Sequence, residues 1–162
     1  MKVNFLLSVV LLILLEICFS CHSDEIHKVY PERFPQPFNG ENVTPTILKS
    51  NYGFREHKRS FQPNQHQSDS IDTLVYLSNG NNEVCFYNNA DKALLQSIVF
   101  MEPGTALWDS LAIGSPMDAF KANLETTIHE NTQIVGPDGG FSWELFFQRG
   151  HLSKAIYWVH LD

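Results

Sequence analysis

The feature that most constrains the fold is a series of short apolar segments, separated by turn signals, that begins at Ile71. The segments are rich in aliphatic and aromatic residues, and the turns between them contain Asn, Gly and Pro, a pattern typical of strands joined by hairpins. We therefore expect about six strands in two antiparallel meanders. The first set is 73–77, 83–88 and 94–102, and the second is 132–135, 141–148 and 154–162.

Two helix starts precede these sets of strands. Thr44-Pro45 and Ser115-Pro116 each combine a capping hydroxyl residue with a proline that suits the first helical position. The first helix is expected to end near Gly53 and the second near Glu125. The expected fold class is therefore α+β: an antiparallel sheet of about six strands with one or two helices on one face. A tandem repeat of one helix plus three strands also fits the pattern.

The last hairpin allows the two faces of the sheet to be assigned. If Arg149-Gly150 is a two-residue turn, strand alternation gives one strongly apolar face, which we expect to be the core. That face holds Trp143, Leu145, Phe147, Leu152, Ile156 and Trp158. The opposite face mixes aromatic and polar residues, as protein-binding patches do. Its candidate binding residues are Glu144, Phe146, His151 and Tyr157. The alternative is that Phe146 and Tyr157 only pack against each other or under a loop.

The chain ahead of the strands is polar and rich in proline. Five of the eight prolines lie between residues 22 and 70. Such a composition buries too little apolar surface to offset the entropy lost on ordering. We therefore expect residues 21–43 to form a flexible tether. Residues 44–162 are expected to form a single α+β domain, best defined over 71–162.

The first twenty residues have the pattern of a secretory signal peptide. Lys2 is followed by an apolar run over 3–15, and the small residue Ser20 directly precedes Cys21. The apolar run is shorter than the roughly 20 residues that a membrane-spanning helix needs. The mature chain is therefore expected to begin at Cys21.

The segment Cys18-Phe19-Ser20-Cys21 resembles the lipobox of lipoproteins from Gram-negative bacteria. The resemblance implies that Cys21 carries fatty acyl chains such as palmitate, and that the protein is anchored in the outer membrane, facing the periplasm or the cell surface. The alternative is cleavage by ordinary signal peptidase. The protein would then be secreted without lipid, and the cysteines at 21 and 85 would form an even pair suited to a Cys21–Cys85 disulfide.

The segment Ile113-Gly114-Ser115-Pro116-Met117-Asp118 is similar to the helix opening of the secreted β-lactamase inhibitor proteins and of small outer-membrane lipoproteins that share their fold. In those families an antiparallel sheet carries helices on one face and uses its other face or its loops to bind a protein. The resemblance therefore implies a protein-binding role.

Charge and motifs bear on the remaining function classes. The formal net charge of −7 argues against nucleic-acid binding, because an acidic surface repels phosphates. The seven histidines show no metal-ligand spacing, and no nucleophile elbow or phosphate-binding loop is present. We therefore predict no catalytic residue, metal or cofactor. The expected function is that of a non-enzymatic, membrane-anchored envelope lipoprotein that binds a protein or an envelope component through a sheet face. The alternative is a secreted inhibitor or binding module.

Replacing Cys21 by Ser tests the predicted anchor. The Cys21→Ser protein should leave the membrane fraction, because the chain after residue 21 contains no other apolar stretch of membrane-spanning length. Membrane fractionation with immunodetection measures this, and a wild-type protein found wholly in the soluble fraction would contradict the prediction.

Overall fold

A computed structural model of the chain describes residues 26–40, 43–64, 70–88 and 92–160, and in these ranges the chain is built mainly from strands. Two short α-helices and one 3-10 turn, Pro37–Gly40, accompany them. The helices are α1 (Pro45–Asn51) and α2 (Met117–Leu124). The strands are β1 (His27–Val29), β2 (Arg55–Pro63), β3 (Ile71–Asn79), β4 (Asn82–Asn88), β5 (Ala93–Phe100), β6 (Ala106–Trp108), β7 (Leu111–Ala112), β8 (Asn131–Val135), β9 (Phe141–Gln148) and β10 (His151–Val159).

The main sheet has eight strands in the order β1-β8-β9-β10-β5-β4-β3-β2, and β6 and β7 form a separate two-stranded sheet. β1 runs parallel to β8, and the other neighbours in the main sheet are antiparallel. The predicted fold class is therefore wrong, because the sheet is eight-stranded and mixed instead of an antiparallel sheet of about six strands. The suggested repeat does not describe it either, since four strands follow α1 before β6 and three follow α2.

The six strands expected from the sequence are all present, and they lie at the centre of the main sheet. They are β3, β4, β5, β8, β9 and β10. The closing strands of the two meanders pair with each other, with Phe100 opposite Ala155 and Ile98 opposite Tyr157. This pairing joins the two meanders into one sheet.

The edge strand β2 escaped prediction because it carries no hydrophobic alternation. It begins Arg-Glu-His-Lys-Arg, and these five residues are exposed. It nevertheless pairs with β3 along its whole length, from Arg55 opposite Ser78 to Pro63 opposite Ile71. Charged side chains on an edge strand also discourage pairing with other chains.

The segment 26–40 is ordered against the sheet, so the prediction of a flexible tether is wrong for these residues. His27 pairs with Thr132 in the β1–β8 ladder. Further along, the carbonyl of Pro35 accepts a hydrogen bond of 2.8 Å from the indole N–H of Trp143. Phe34 packs against the core. Val43, the last residue of the predicted tether, also packs against the core. Residues 21–25, 41 and 42 of the predicted tether and the predicted signal peptide 1–20 lie outside the described residues.

One face of the sheet, which we call the packed face, holds the hydrophobic core. α1 contributes Leu48 to this core, and α2 contributes Phe120 and Leu124. The segments 101–116 and 125–130 lie on the same face, since Trp108 and Ile128 belong to the same cluster. The buried sheet residues on this face include Val75, Leu77, Val84, Phe86, Ile98, Phe100, Ile134, Trp143, Leu145, Phe147, Leu152, Ala155 and Tyr157.

A β-bulge in β10 reverses the predicted faces of that strand. Leu152 pairs with Phe147, but the next pair is Lys154 with Phe146, so Ser153 is an extra residue. The Ser153 hydroxyl donates a hydrogen bond of 2.9 Å to the carbonyl of Phe146. One extra residue moves every later side chain to the other face.

The bulge therefore corrects the predicted core. The assignment of Trp143, Leu145, Phe147 and Leu152 to the core is confirmed, because all four are buried. The assignment of Ile156 and Trp158 to the packed face is wrong, because Ala155 and Tyr157 take those places, although Ile156 is itself buried on the other face.

Alanine substitutions at 157 and 158 distinguish the two face assignments. Tyr157 is 2 % exposed, so Tyr157→Ala should cost about 3–5 kcal/mol of unfolding free energy, as loss of a buried aromatic does. Trp158 is only half-buried on the other face, so Trp158→Ala should cost no more than about 2 kcal/mol. Chemical denaturation measures both values, and a larger loss for Trp158→Ala would contradict the bulged register.

Replacing residues 27–36 by a Gly-Ser linker of equal length tests the role of the ordered N-terminal segment. The unfolding free energy should fall by more than about 2 kcal/mol, because the replacement removes the packing of Phe34 and takes the Pro35 carbonyl away from Trp143. The matched control is Glu32→Ala at an exposed site, which should change stability by less than about 0.5 kcal/mol. Thermal or chemical denaturation decides, and equal stabilities would show that the segment contributes nothing.

Candidate functional site

The structure brings together two of the four residues predicted for the binding face. Glu144 and Phe146 lie on the face of the sheet opposite the core, and both are half-buried. His151 is exposed at the start of β10, with its ring Nδ1 3.2 Å from the carbonyl oxygen of Arg149. Tyr157 lies in the core, so its assignment to the binding face is wrong. The cause is again the bulge at Ser153.

We call the face opposite the core the open face. In the described part of the chain no helix packs on it, because the buried residues of α1 and α2 belong to the core cluster on the packed face. Two rows of side chains cross it from strand to strand. One row is Ser142, Trp158, Ser97, Cys85 and Tyr76, and the other is Glu144, Ile156, Val99 and Glu83.

The centre of the open face is apolar. Ile156 is 8 % exposed and Cys85 is 4 % exposed, although neither belongs to the core cluster. The indole nitrogen of Trp158 is buried and has no hydrogen-bond partner in the structure. Unsatisfied buried donors are uncommon, because each costs about 1–3 kcal/mol. A large aromatic side chain with an unused donor therefore lies on the open face.

Charged groups surround this apolar centre. The Lys154 ammonium lies 5.3 Å from the ring centroid of Phe146, and Lys58 lies 4.7 Å from that of Tyr76. Glu83 lies 2.9 Å from the imidazole of His57. An apolar centre with a charged rim is the usual anatomy of a protein–protein interface.

The thiol of Cys85 is structural rather than reactive. Burial raises its pKa, so it is protonated at neutral pH, and it donates a hydrogen bond of 3.2 Å to the side-chain carbonyl of Gln96. Cys85 carries a free thiol in this structure. Cys21 lies outside the described residues, so its lipidation and the alternative bridge to Cys85 stay predictions.

A polar cluster lies near the start of β3. Asp72 is buried, accepts a hydrogen bond from the Tyr87 hydroxyl and accepts another of 3.0 Å from the side-chain amide of Asn64. The bond to Asp72 raises the pKa of Tyr87, so the phenol stays protonated and keeps donating at physiological pH. The cluster joins β3 to β4 and to the residue that follows β2.

A second candidate site, not expected from the sequence, is a cleft on the packed face, which we call the aromatic cleft. It has a volume of about 270 Å³ and lies between the 3-10 turn, α1 and β6. Five of the eleven described residues that line it are aromatic, and Asp109 is also part of the lining. The rings belong to Phe38, Tyr52, Phe54, Phe100 and Trp108. These residues are far apart in sequence and follow no local motif, so sequence patterns could not reveal the cleft.

Asp109 is held in place at the boundary with a neighbouring cleft. The indole N–H of Trp108 donates a hydrogen bond of 3.0 Å to Asn123, whose amide N–H donates one of 3.3 Å to the Asp109 carboxylate. The backbone of Asp109 has a φ of +48°, a left-handed conformation that Asp and Asn adopt more readily than most residues. The neighbouring cleft, of about 520 Å³, shares Trp108 and Asp109 and extends to Arg33.

The described residues contain neither a group of side chains that could hold a metal ion nor a helix that could span a membrane. No cluster of three His, Cys, Asp or Glu residues there is arranged to hold a metal ion. Neither described helix is long and apolar enough to cross a membrane.

Comparison with known proteins adds no relative. No protein-family model, curated protein or solved structure matches this chain. The resemblances to lipoproteins and to the β-lactamase inhibitor proteins therefore stay predictions.

Proposed function

We propose that this chain is a non-enzymatic lipoprotein of the cell envelope, anchored through Cys21, that binds another protein through the open face of its sheet. The observation that supports this most is the composition of that face, where Trp158 and Phe146 are partly exposed and Ile156 is buried on a side of the sheet that no described helix covers.

The chemistry of the open face favours a protein as the partner. Aromatic side chains bury a large area at a low entropic cost, and they carry much of the binding energy of protein interfaces. The indole N–H of Trp158 lacks an acceptor in the structure, and a backbone carbonyl of a partner would supply one after a small shift of the ring. Glu83, Glu144 and Lys154 place charges of both signs around the centre, which favours one orientation of the partner.

The predicted anchor would keep this face close to the membrane. Cys21 precedes β1 by six residues, and such a length of chain reaches at most about 20 Å when fully extended. β1 lies at one edge of the main sheet. A lipid on Cys21 therefore restricts the open face to partners at or near the membrane surface.

Site-specific photo-crosslinking in the living cell tests the proposal. A photoreactive amino acid at Glu144 on the open face should give a discrete crosslinked product, and Trp158→Ala in the same chain should reduce the yield by about thirtyfold when the partner is not saturating, since an aromatic hot spot contributes about 2 kcal/mol. The matched control carries the photoreactive residue at Asp118, which is exposed on α2 on the other side of the sheet.

The control at Asp118 should give no such product. The absence of a product from Glu144, or equal yields with and without Trp158, would overturn the proposed role of the open face.

A further inference from the structure

We propose that the aromatic cleft is a binding site for a small organic cation with an apolar body, such as an arylalkylamine. The site is separate from the open face, because its residues lie on the packed side of the sheet.

The volume of the cleft limits the ligand to about one ring with a short chain. Apolar cavities of about 150 Å³ hold a benzene molecule, and drug-sized ligands need roughly 300–1,000 Å³. The aromatic cleft, at about 270 Å³, falls between these sizes. Its aromatic wall favours a ligand with an apolar body that can stack on the rings.

The charge of the cleft selects a cation. Among the described residues that line it, Asp109 is the one with a charged side chain. The faces of aromatic rings carry negative electrostatic potential, so they attract cations and repel anions. Arg33, which would attract an anion, lines the neighbouring cleft instead.

The other polar side chains of the wall are already used to hold the surrounding loops. The Asn82 side-chain oxygen accepts hydrogen bonds from the backbone N–H groups of Met101 and Glu102, and its amide donates to Thr105. Asn79 donates a hydrogen bond of 2.7 Å to the carbonyl of Tyr52. Asp109 is therefore the wall residue that is best suited to recognise a polar group of the ligand.

The ring geometry favours a rigid, preformed wall. The ring centroid of Phe38 lies 4.7 Å from that of Tyr52 and 5.7 Å from that of Phe100, and both pairs are tilted. Trp108 is held by Phe120 at 5.7 Å and by Trp143 at 4.9 Å. Rings fixed in this way lose little entropy when a ligand binds, which strengthens binding by a small molecule.

Isothermal titration calorimetry with three matched probes tests this inference on protein produced from the full-length sequence. The probes are 2-phenylethylamine, 2-phenylethanol and 3-phenylpropionate, which share a ring and differ in charge. The amine should bind up to about fivefold more tightly than the alcohol, because its ammonium can pair with the Asp109 carboxylate, which is exposed and therefore partly screened by solvent. The carboxylate should not bind measurably.

Two variants localise the binding. Asp109→Asn keeps a residue that tolerates the left-handed backbone and removes the charge, so it should abolish the preference for the amine over the alcohol. Ala106→Leu adds bulk to the exposed wall and should weaken both ligands. The matched charge control is Asp138→Asn in an exposed turn, and the matched site control is Trp158→Ala; neither should change amine binding.

Equal affinity for the three probes, no binding of the amine, or an unchanged preference in Asp109→Asn would each overturn the inference. Because Trp158→Ala tests the open face and Asp109→Asn tests the cleft, the failure of one proposal is distinguishable from the failure of the other.

Discussion

The interaction on which the rest of the structure depends is the burial of Trp143 at the centre of the packed face. Its ring is fully buried and lies 4.9 Å from that of Trp108 and 5.1 Å from that of Tyr157, and its N–H is satisfied by the carbonyl of Pro35. An indole N–H buried without an acceptor costs about 1–3 kcal/mol, and the N-terminal segment avoids this cost because it supplies the acceptor. The Trp143 side chain thus links its own strand β9 to the segment 101–116, which contains β6, and to the N-terminal segment 26–40.

The bulge at Ser153 determines what each face of the sheet presents. It turns Tyr157 into the core, where burial raises the pKa of its phenol to about 12 and its hydroxyl donates a hydrogen bond of 3.2 Å to Gln36. It turns Trp158 and Ile156 outward onto the open face. Without the extra residue, the open face would present a tyrosine, and the larger indole of Trp158 would have to fit the core. The proposed binding surface therefore depends on a local irregularity of one strand.

The two proposed sites lie on opposite sides of the same sheet, and they differ in shape and in the placement of their charges. The open face is broad and apolar at its centre with charges at its rim, which suits a macromolecular surface. The aromatic cleft is concave, with one carboxylate fixed by the chain of hydrogen bonds through Trp108 and Asn123, which suits a small ligand. β5 contributes to both, because Val99 lies on the open face and Phe100 lines the cleft. Both sites therefore rest on the rigidity of the central strands.

The sequence by itself determined the six central strands and the two helix starts, because apolar alternation, turn residues and proline-led caps act within a few residues of one another. Thr44 caps α1 through the N–H of Ile47, as expected, whereas Pro116 takes the capping place expected for Ser115 at α2. Only the tertiary structure decided the rest. β2 lies at an exposed edge and needs no apolar pattern, the segment 26–40 is ordered by the distant acceptor it offers to Trp143, and the bulge at Ser153 leaves no mark in the residue pattern. The aromatic cleft likewise joins residues that are far apart along the chain, so only long-range packing brings its rings together with Asp109.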